Sequence, residues 1–177
     1  MARTSRRGPR KPASQQEISA LASAPRLRML RLTRYQALTN QELAQRLGLT
    51  PGATLYHIRR LVAAGLLEPQ EPRTRATGGI EIPYRSYGRS WTLDIDESAK
   101  PTSAMLEAFI DEVREIGAGH LEHAIRLRAV LSRQRRRELI RRLYELFDEY
   151  ADNPDPDGEP WSGFFALHPD PSVADRD

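Results

Sequence analysis

The feature that most constrains this 177-residue chain is a pair of short helical signals separated by only three residues. The first opens at Thr39-Asn40-Gln41-Glu42, where a threonine followed three residues later by glutamate can satisfy two orphan amides reciprocally. It carries Leu43, Ala44 and Leu47 and stops at Gly48, a residue suited to the left-handed end of a helix. The second opens at Thr50-Pro51, a side-chain cap followed by a proline whose missing N–H costs nothing in a first turn. Along it Thr54, Ile58, Leu61 and then Ala64 or Gly65 recur at three- and four-residue spacing, and Gly65 ends it. Two amphipathic helices on so short a leash must cross sharply and bury one stripe each. The other stripe of the second helix is left for solvent or for a partner.

What flanks this pair narrows its meaning. Upstream, Leu21, Pro25, Leu27, Met29, Leu30 and Leu32 predict a further helix starting near Pro25. Downstream, Leu66-Leu67-Glu68 reads as a strand start and Arg73–Gly79 as a polar tip. Ile80–Tyr87 reads as a returning strand that Gly88 bulges before Leu93. Helix, turn, helix, then strand, basic tip and strand is the winged helix-turn-helix order, whose second helix enters a DNA major groove. The fold class is therefore mostly α with a small β wing: a DNA-binding domain over residues 15–95, then a C-terminal helical dimerisation region over 101–150.

Net charge is only +3, but it is unevenly distributed. Residues 1–60 hold twelve Arg or Lys against Glu17 and Glu42, a local charge of +10; residues 151–177 hold seven acids against Arg176. A chain polarised in this way points its N-terminal third at a polyanion. Arginine-rich usage, 25 of 27 cations, has the alternative source of a genome's base composition. Residues 1–14, with five cations and two prolines, read as a disordered basic arm, for DNA contact or for solubility alone. No cysteine is present, so disulfides and thiolate metal sites are excluded. Neither a membrane-length apolar run nor a signal-peptide core is found, so a cytoplasmic address without membrane contact is expected.

In the C-terminal half, Met105, Phe109, Val113 and Ile116 form an apolar stripe, with Leu106 and Ile110 beside it. Gly117 and Gly119 are expected to bend this helix, with Leu121, Ile125, Leu127 and Leu131 resuming it. Ser132 caps a last helix bearing Leu139, Ile140, Leu143, Leu146, Phe147 and Tyr150. A stripe that wide must be covered, either by the helix around Phe109 or by a second subunit. A homodimer interface at Phe109, Leu139, Leu143, Leu146, Phe147 and Tyr150 is expected. The remaining tail, 151–177, is acidic and proline-rich, with a candidate strand at 161–167 that would either pack plainly or complete an effector pocket.

The run Thr39–Leu49, followed by Thr54–Glu68, resembles the ArsR-type winged helix family of bacterial transcription regulators. That family's recognition helix ends in a His-Leu-x-x-Leu-x-x-Ala-Gly-Leu run, which stands here as His57-Ile58-Arg59-Arg60-Leu61-Val62-Ala63-Ala64-Gly65-Leu66. The resemblance spans roughly residues 25–94. It implies a dimer on a near-palindromic double-stranded operator, usually repressing, often released by a metal or small-molecule effector. The chain lacks the cysteines of the family's arsenical and many zinc sensors, and its C-terminal half exceeds the minimal pattern, so no signal carries over.

If Thr54, Ile58 and Leu61 face the core, then Gly52, Leu55, Tyr56 and Arg59 face the groove. Thr50 and Gly52 would bring backbone amides to a phosphate. Tyr56 would donate to a phosphate or base edge, and Leu55 belongs either to the core or against a thymine methyl. Arg59 is the expected guanine or phosphate contact, with Arg60 on phosphate. His57 is either a half-buried helix residue or a further DNA contact. Arg73 and Arg75 at the wing tip would reach the adjacent minor groove or remain solvated.

Other classes find less support. His120-Leu121-Glu122-His123 places two histidines on neighbouring helical positions, which is only part of a metal site, so a metal-responsive sensor is a minor alternative and no metal or cofactor is expected. No nucleophile elbow, phosphate loop, His-Glu-x-x-His or dinucleotide fingerprint is present, so no catalytic residues are expected. A non-specific architectural DNA-binding protein is the main alternative.

Overall fold

The computed structural model describes residues 11–74, 78–88, 90, 93–96, 99–153 and 155–170. Its residues fall into two units, Arg10–Leu121 and one that includes Glu122–Asp177. In the first, β1 (Lys11–Pro12) leads into α1 (Gln15–Leu21) and α2 (Ala24–Leu32). Then come β2 (Leu38–Thr39), α3 (Asn40–Leu47) and α4 (Pro51–Ala63). Four short strands follow, β3 (Glu68–Pro69), β4 (Arg73–Thr74), β5 (Ile80–Glu81) and β6 (Pro83–Arg85), then β7 (Leu93–Asp94) and α5 (Thr102–Ile116).

Local chemistry accounts for the helix ends. Ser14 and Glu17 form a capping box on α1, and Thr39 and Glu42 form the same device on α3. Gly48 closes α3 with φ of 64°, a conformation that a side chain would strain. Thr50 caps α4 by accepting from the Ala53 amide, with Pro51 in the first turn. Of the expected basic arm, residues 11–14 are described. Lys11–Pro12 pairs in parallel with Leu93–Asp94, and Ser14 starts a helix, because Ser14-x-x-Glu17 supplies the cap that the neighbouring cations obscure.

The core gathers Ala20, Leu21, Met29, Leu30, Leu38, Leu43, Ile58, Leu61, Leu66, Leu67 and Leu93 from α1–α4 and the strands. A three-stranded antiparallel sheet of order β2-β6-β3 places Leu38 against Tyr84 and Glu68 against Arg85. Beyond it β4 and β5 form the wing hairpin, with Arg73 opposite Glu81. α5 lies along α2: Ala108 is buried, and an Arg28–Glu115 ion pair and an Arg31–Glu112 pair at 3.0 Å join the two helices.

In the second unit, α6 (Arg133–Asp152) starts at the Ser132 cap, whose hydroxyl accepts from the Arg135 amide. The helix expected to resume at Leu121 is not formed: beyond a short 3-10 turn at Ala118–His120, residues 121–132 have no helix until Arg133. Leu121, Ile125, Leu127 and Leu131 are spaced four, two and four apart, so they never share one helical face, and Ile125 is 95% exposed. His120 and His123 therefore do not share a helix. Residues 161–167 take no strand either.

Candidate nucleic-acid interface

α4 is set by its inward stripe. Thr54, Ile58 and Leu61 are each 1% exposed or less, and the Thr54 hydroxyl donates to the Thr50 carbonyl at 3.0 Å, so the burial strands no polar atom. That rotation turns Gly52, Tyr56, Arg59 and Arg60 to solvent and leaves Leu55 and His57 half-buried. At the N-terminus, Pro51 has no N–H, Ala53 donates to the Thr50 hydroxyl and Thr54 donates to the Thr50 carbonyl. The Gly52 amide is the donor that the helix itself does not use. A Cβ at Gly52 would meet no atom within 4 Å, so the fold does not require glycine there.

The cations at this face differ in how they are engaged. Arg59 is exposed. Arg60 donates to the Ser19 hydroxyl at 3.1 Å, which leans it towards α1. Arg73 stands on β4 rather than at the wing tip, and it is doubly paired, to Glu81 at 2.7 Å and to Glu42 at 2.8 Å. The strand register places Glu81 directly across from it, the arrangement that favours an opposite-charge pair. Arg75 lies outside the described residues.

Glu42 serves two elements at once. Its Oε2 accepts from the Thr39 amide at 2.7 Å and the Thr39 hydroxyl at 3.0 Å, while its Oε1 accepts from Arg73. Burial pushes its carboxyl up, but the Thr39 bonds and the Arg73 guanidinium outweigh that and hold it below the usual carboxylate range. The start of α3 and the root of the wing thus share one carboxylate. Asn40 adds a tie by donating to the Pro51 carbonyl at 3.1 Å, and its buried Oδ1 has no partner among the described residues.

Beneath α4 lies a residue that sequence reasoning did not single out. Arg26 is 8% exposed and donates to the Ala20 carbonyl at 2.5 Å and the Ser19 carbonyl at 2.8 Å, near the C-terminal end of α1. A cation there meets the negative end of that helix and satisfies carbonyls that α1 leaves open. Its third group lies 3.4 Å from His57 Nδ1. Because an arginine only donates, this contact requires Nδ1 unprotonated, with the ring proton on Nε2. Burial and the Arg26 charge both lower the His57 pKa, and the ring meets Tyr56 edge-on at 5.4 Å. The signal in the sequence was an arginine among the apolar residues of α2, directly after Pro25.

The expected subunit contacts are placed as follows. Phe109 is half-buried on α5, and Leu139 and Leu143 are half-buried on α6. Leu146, Phe147 and Tyr150 are exposed on α6. Among the described residues no group of three or more His, Cys, Asp or Glu side chains could hold a metal, and no helix is long and apolar enough to cross a membrane.

Residues 30–68 match the family described as winged helix-turn-helix DNA-binding. Three solved structures resemble the chain. The homodimeric winged helix-turn-helix DNA-binding domain (fragment 1–100) of Mb0332 from Mycobacterium bovis, a possible ArsR-family transcriptional regulator, is 21% identical. It covers 62% of this chain and 85% of its own, with a TM-score of 0.35. HlyU from Vibrio cholerae is 22% identical over 54% of this chain and 87% of its own, with a TM-score of 0.34. The adhesin competence repressor AdcR from Streptococcus pyogenes is 18% identical over 80% of this chain and 84% of its own, with a TM-score of 0.29. No curated protein matches the chain. The capped helix pair, the sealed inward face of α4, the β4–β5 wing and the match over residues 30–68 identify a winged helix-turn-helix domain of the DNA-binding kind within this chain.

Proposed function

We propose that the chain is a sequence-specific transcription regulator of the ArsR type, a repressor that binds a two-fold symmetric double-stranded operator as a homodimer. One observation carries the reading: α4 buries Thr54, Ile58 and Leu61 completely and turns Gly52, Tyr56 and Arg59 outward on a single face. In a major groove that face offers the Gly52 amide to a phosphate, the Tyr56 hydroxyl to a phosphate or base edge, and the Arg59 fork to guanine. Thr50 acts through the helix end that it caps, Leu55 and His57 pack at the margin of the face, and Arg60 reaches phosphate from the last turn. Arg73 acts through the wing's placement, and Arg75 is the wing's own cation. The repressor sense rests on the resemblance of residues 39–68.

Selection of bound sequences from a random duplex pool, with the mass of the complex measured alongside, tests the proposal. The expected result is a motif with two-fold symmetry bound by two copies. Binding that persists while no sequence is enriched would overturn it in favour of an architectural role.

A further inference from the structure

The buried guanidinium of Arg26 is used from two sides. Nε and Nη2, which form one edge of the fork, donate to the Ala20 and Ser19 carbonyls. Nη1 is left to meet His57 Nδ1. One cation therefore joins the end of α1 to the middle of the reading helix. Two outer ties run beside it, from Arg60 to the Ser19 hydroxyl and from the Gln16 amide to the Ala63 carbonyl at 2.9 Å. On the far side of the His57 ring, Nε2 has no partner among the described residues. It is not closed off either, since Asn40 Oδ1 is the only buried side-chain polar atom without a partner among those residues. An imidazole whose Nδ1 accepts from a guanidinium carries its proton on Nε2. His57 thus shows solvent a donor and no acceptor, next to the exposed Tyr56 whose ring it meets edge-on.

We infer that Arg26 is a positioning residue for DNA reading that acts through His57: it holds α4 against the end of α1 and fixes the ring as the neutral Nε2–H tautomer. The inference rests on the reading of α4 as the DNA-reading helix and adds a residue that itself touches no DNA. Arginine suits the task because its planar fork reaches two carbonyls and a ring nitrogen at once, whereas a lysine carries a single nitrogen. The groups around the pair keep the ring neutral. Tyr56 and Arg60 stand beside it on α4, and Glu17, the acid of α1, is engaged with Ser14 and Lys11. Neither Arg26 nor His57 has a carboxylate partner among the described residues. A proton on Nδ1 would remove the acceptor that Arg26 uses and set a second cation against the first.

Imidazole nitrogen NMR of the isotope-labelled full-length chain tests this without DNA. The chain has four histidines, and the signals that His57→Leu removes are those of His57. Wild-type His57 should show one neutral tautomer with its proton on Nε2 and titrate below the ordinary value of about 6.5. A proton on Nδ1, or an ordinary titration, would overturn the inference, and this arm needs no change at Arg26. In Arg26→Met the ring should become a mixture of tautomers and titrate higher; an unchanged spectrum in the folded variant would also overturn it. Affinity for a random-sequence duplex, a probe that needs no operator, should fall about three- to ten-fold in His57→Leu. Arg26→Met should cost little more in that background than His57→Leu alone, because the two act as one unit. Fully additive losses, or no loss in His57→Leu, would leave Arg26 a residue of the fold alone and sink the proposal. Failure of operator selection leaves the tautomer result standing, and a wrong tautomer leaves the DNA reading standing.

Discussion

α4 and α6 are both amphipathic, arginine-bearing helices opened by a hydroxyl cap, yet they spend their apolar faces differently. α4 buries Thr54, Ile58 and Leu61 against its own chain, whereas on α6 no residue is fully buried and Leu139 and Leu143 are half-buried. Periodicity therefore shows that a helix has a face to cover and does not show who covers it. In α4 the cover is local in sequence, since α2 and α3 precede it by short turns and Leu66-Leu67 follows at once. In α6 the apolar residues stay half-buried or exposed.

The largest effect expected breaks this contrast at its core. Leu61→Ala should remove about 2–5 kcal/mol from unfolding in urea, through lost burial and the cavity left behind. Leu143→Ala, measured at a concentration where the chain is monomeric, should move the same transition by about 0.5 kcal/mol or less. Equal losses would mean that α6 is covered by its own chain.

Next in size, Arg59→Ala should cost about 1–3 kcal/mol of specific affinity and relax one operator position. Uniform weakening on every duplex would reduce Arg59 to a phosphate anchor. A smaller change, a few-fold loss of affinity, is expected for Arg73→Met. Because Arg73 is paired with Glu42 and Glu81, the log–log salt slope should stay as it was. A slope shallower by about one unit would place Arg73 on a phosphate in the complex.

The smallest effect belongs to His57. Its folded pKa lies below the unfolded value because burial and Arg26 disfavour the imidazolium. Between the two values the unfolded chain binds more protons, so stability is fully present above the unfolded value of about 6.5 and is lost as pH falls through the lower folded one. Thermal melts from neutral to acidic pH should show a modest decline that His57→Gln removes. An unchanged decline in that variant would assign the pH dependence to other groups.

What could be read from the sequence was what neighbouring residues decide among themselves. Thr39 with Glu42, Gly48, Thr50 with Pro51, and the stripe through Thr54, Ile58 and Leu61 act within one or two turns, and all are present in the structure. The roles of Arg26 and Arg73 could not be read in this way. Each depends on partners brought by folding: His57 lies 31 positions from Arg26, and Glu42 lies 31 positions from Arg73. Ser14 with Glu17 was legible and was hidden by the basic run beside it. Leu121–Leu131 misled because apolar content was read there without a consistent period.

The carboxylate of Glu42 ties the history of two parts of the molecule together. A wing that drifts in sequence to fit a new operator can change its tip without touching the reading helix. It cannot discard Arg73 without leaving Glu42 Oε1 to water, on the same carboxylate whose Oε2 holds the first turn of α3. Positions 42, 73 and 81 should therefore be inherited as a set, and a wing transplanted from a relative should come with all three.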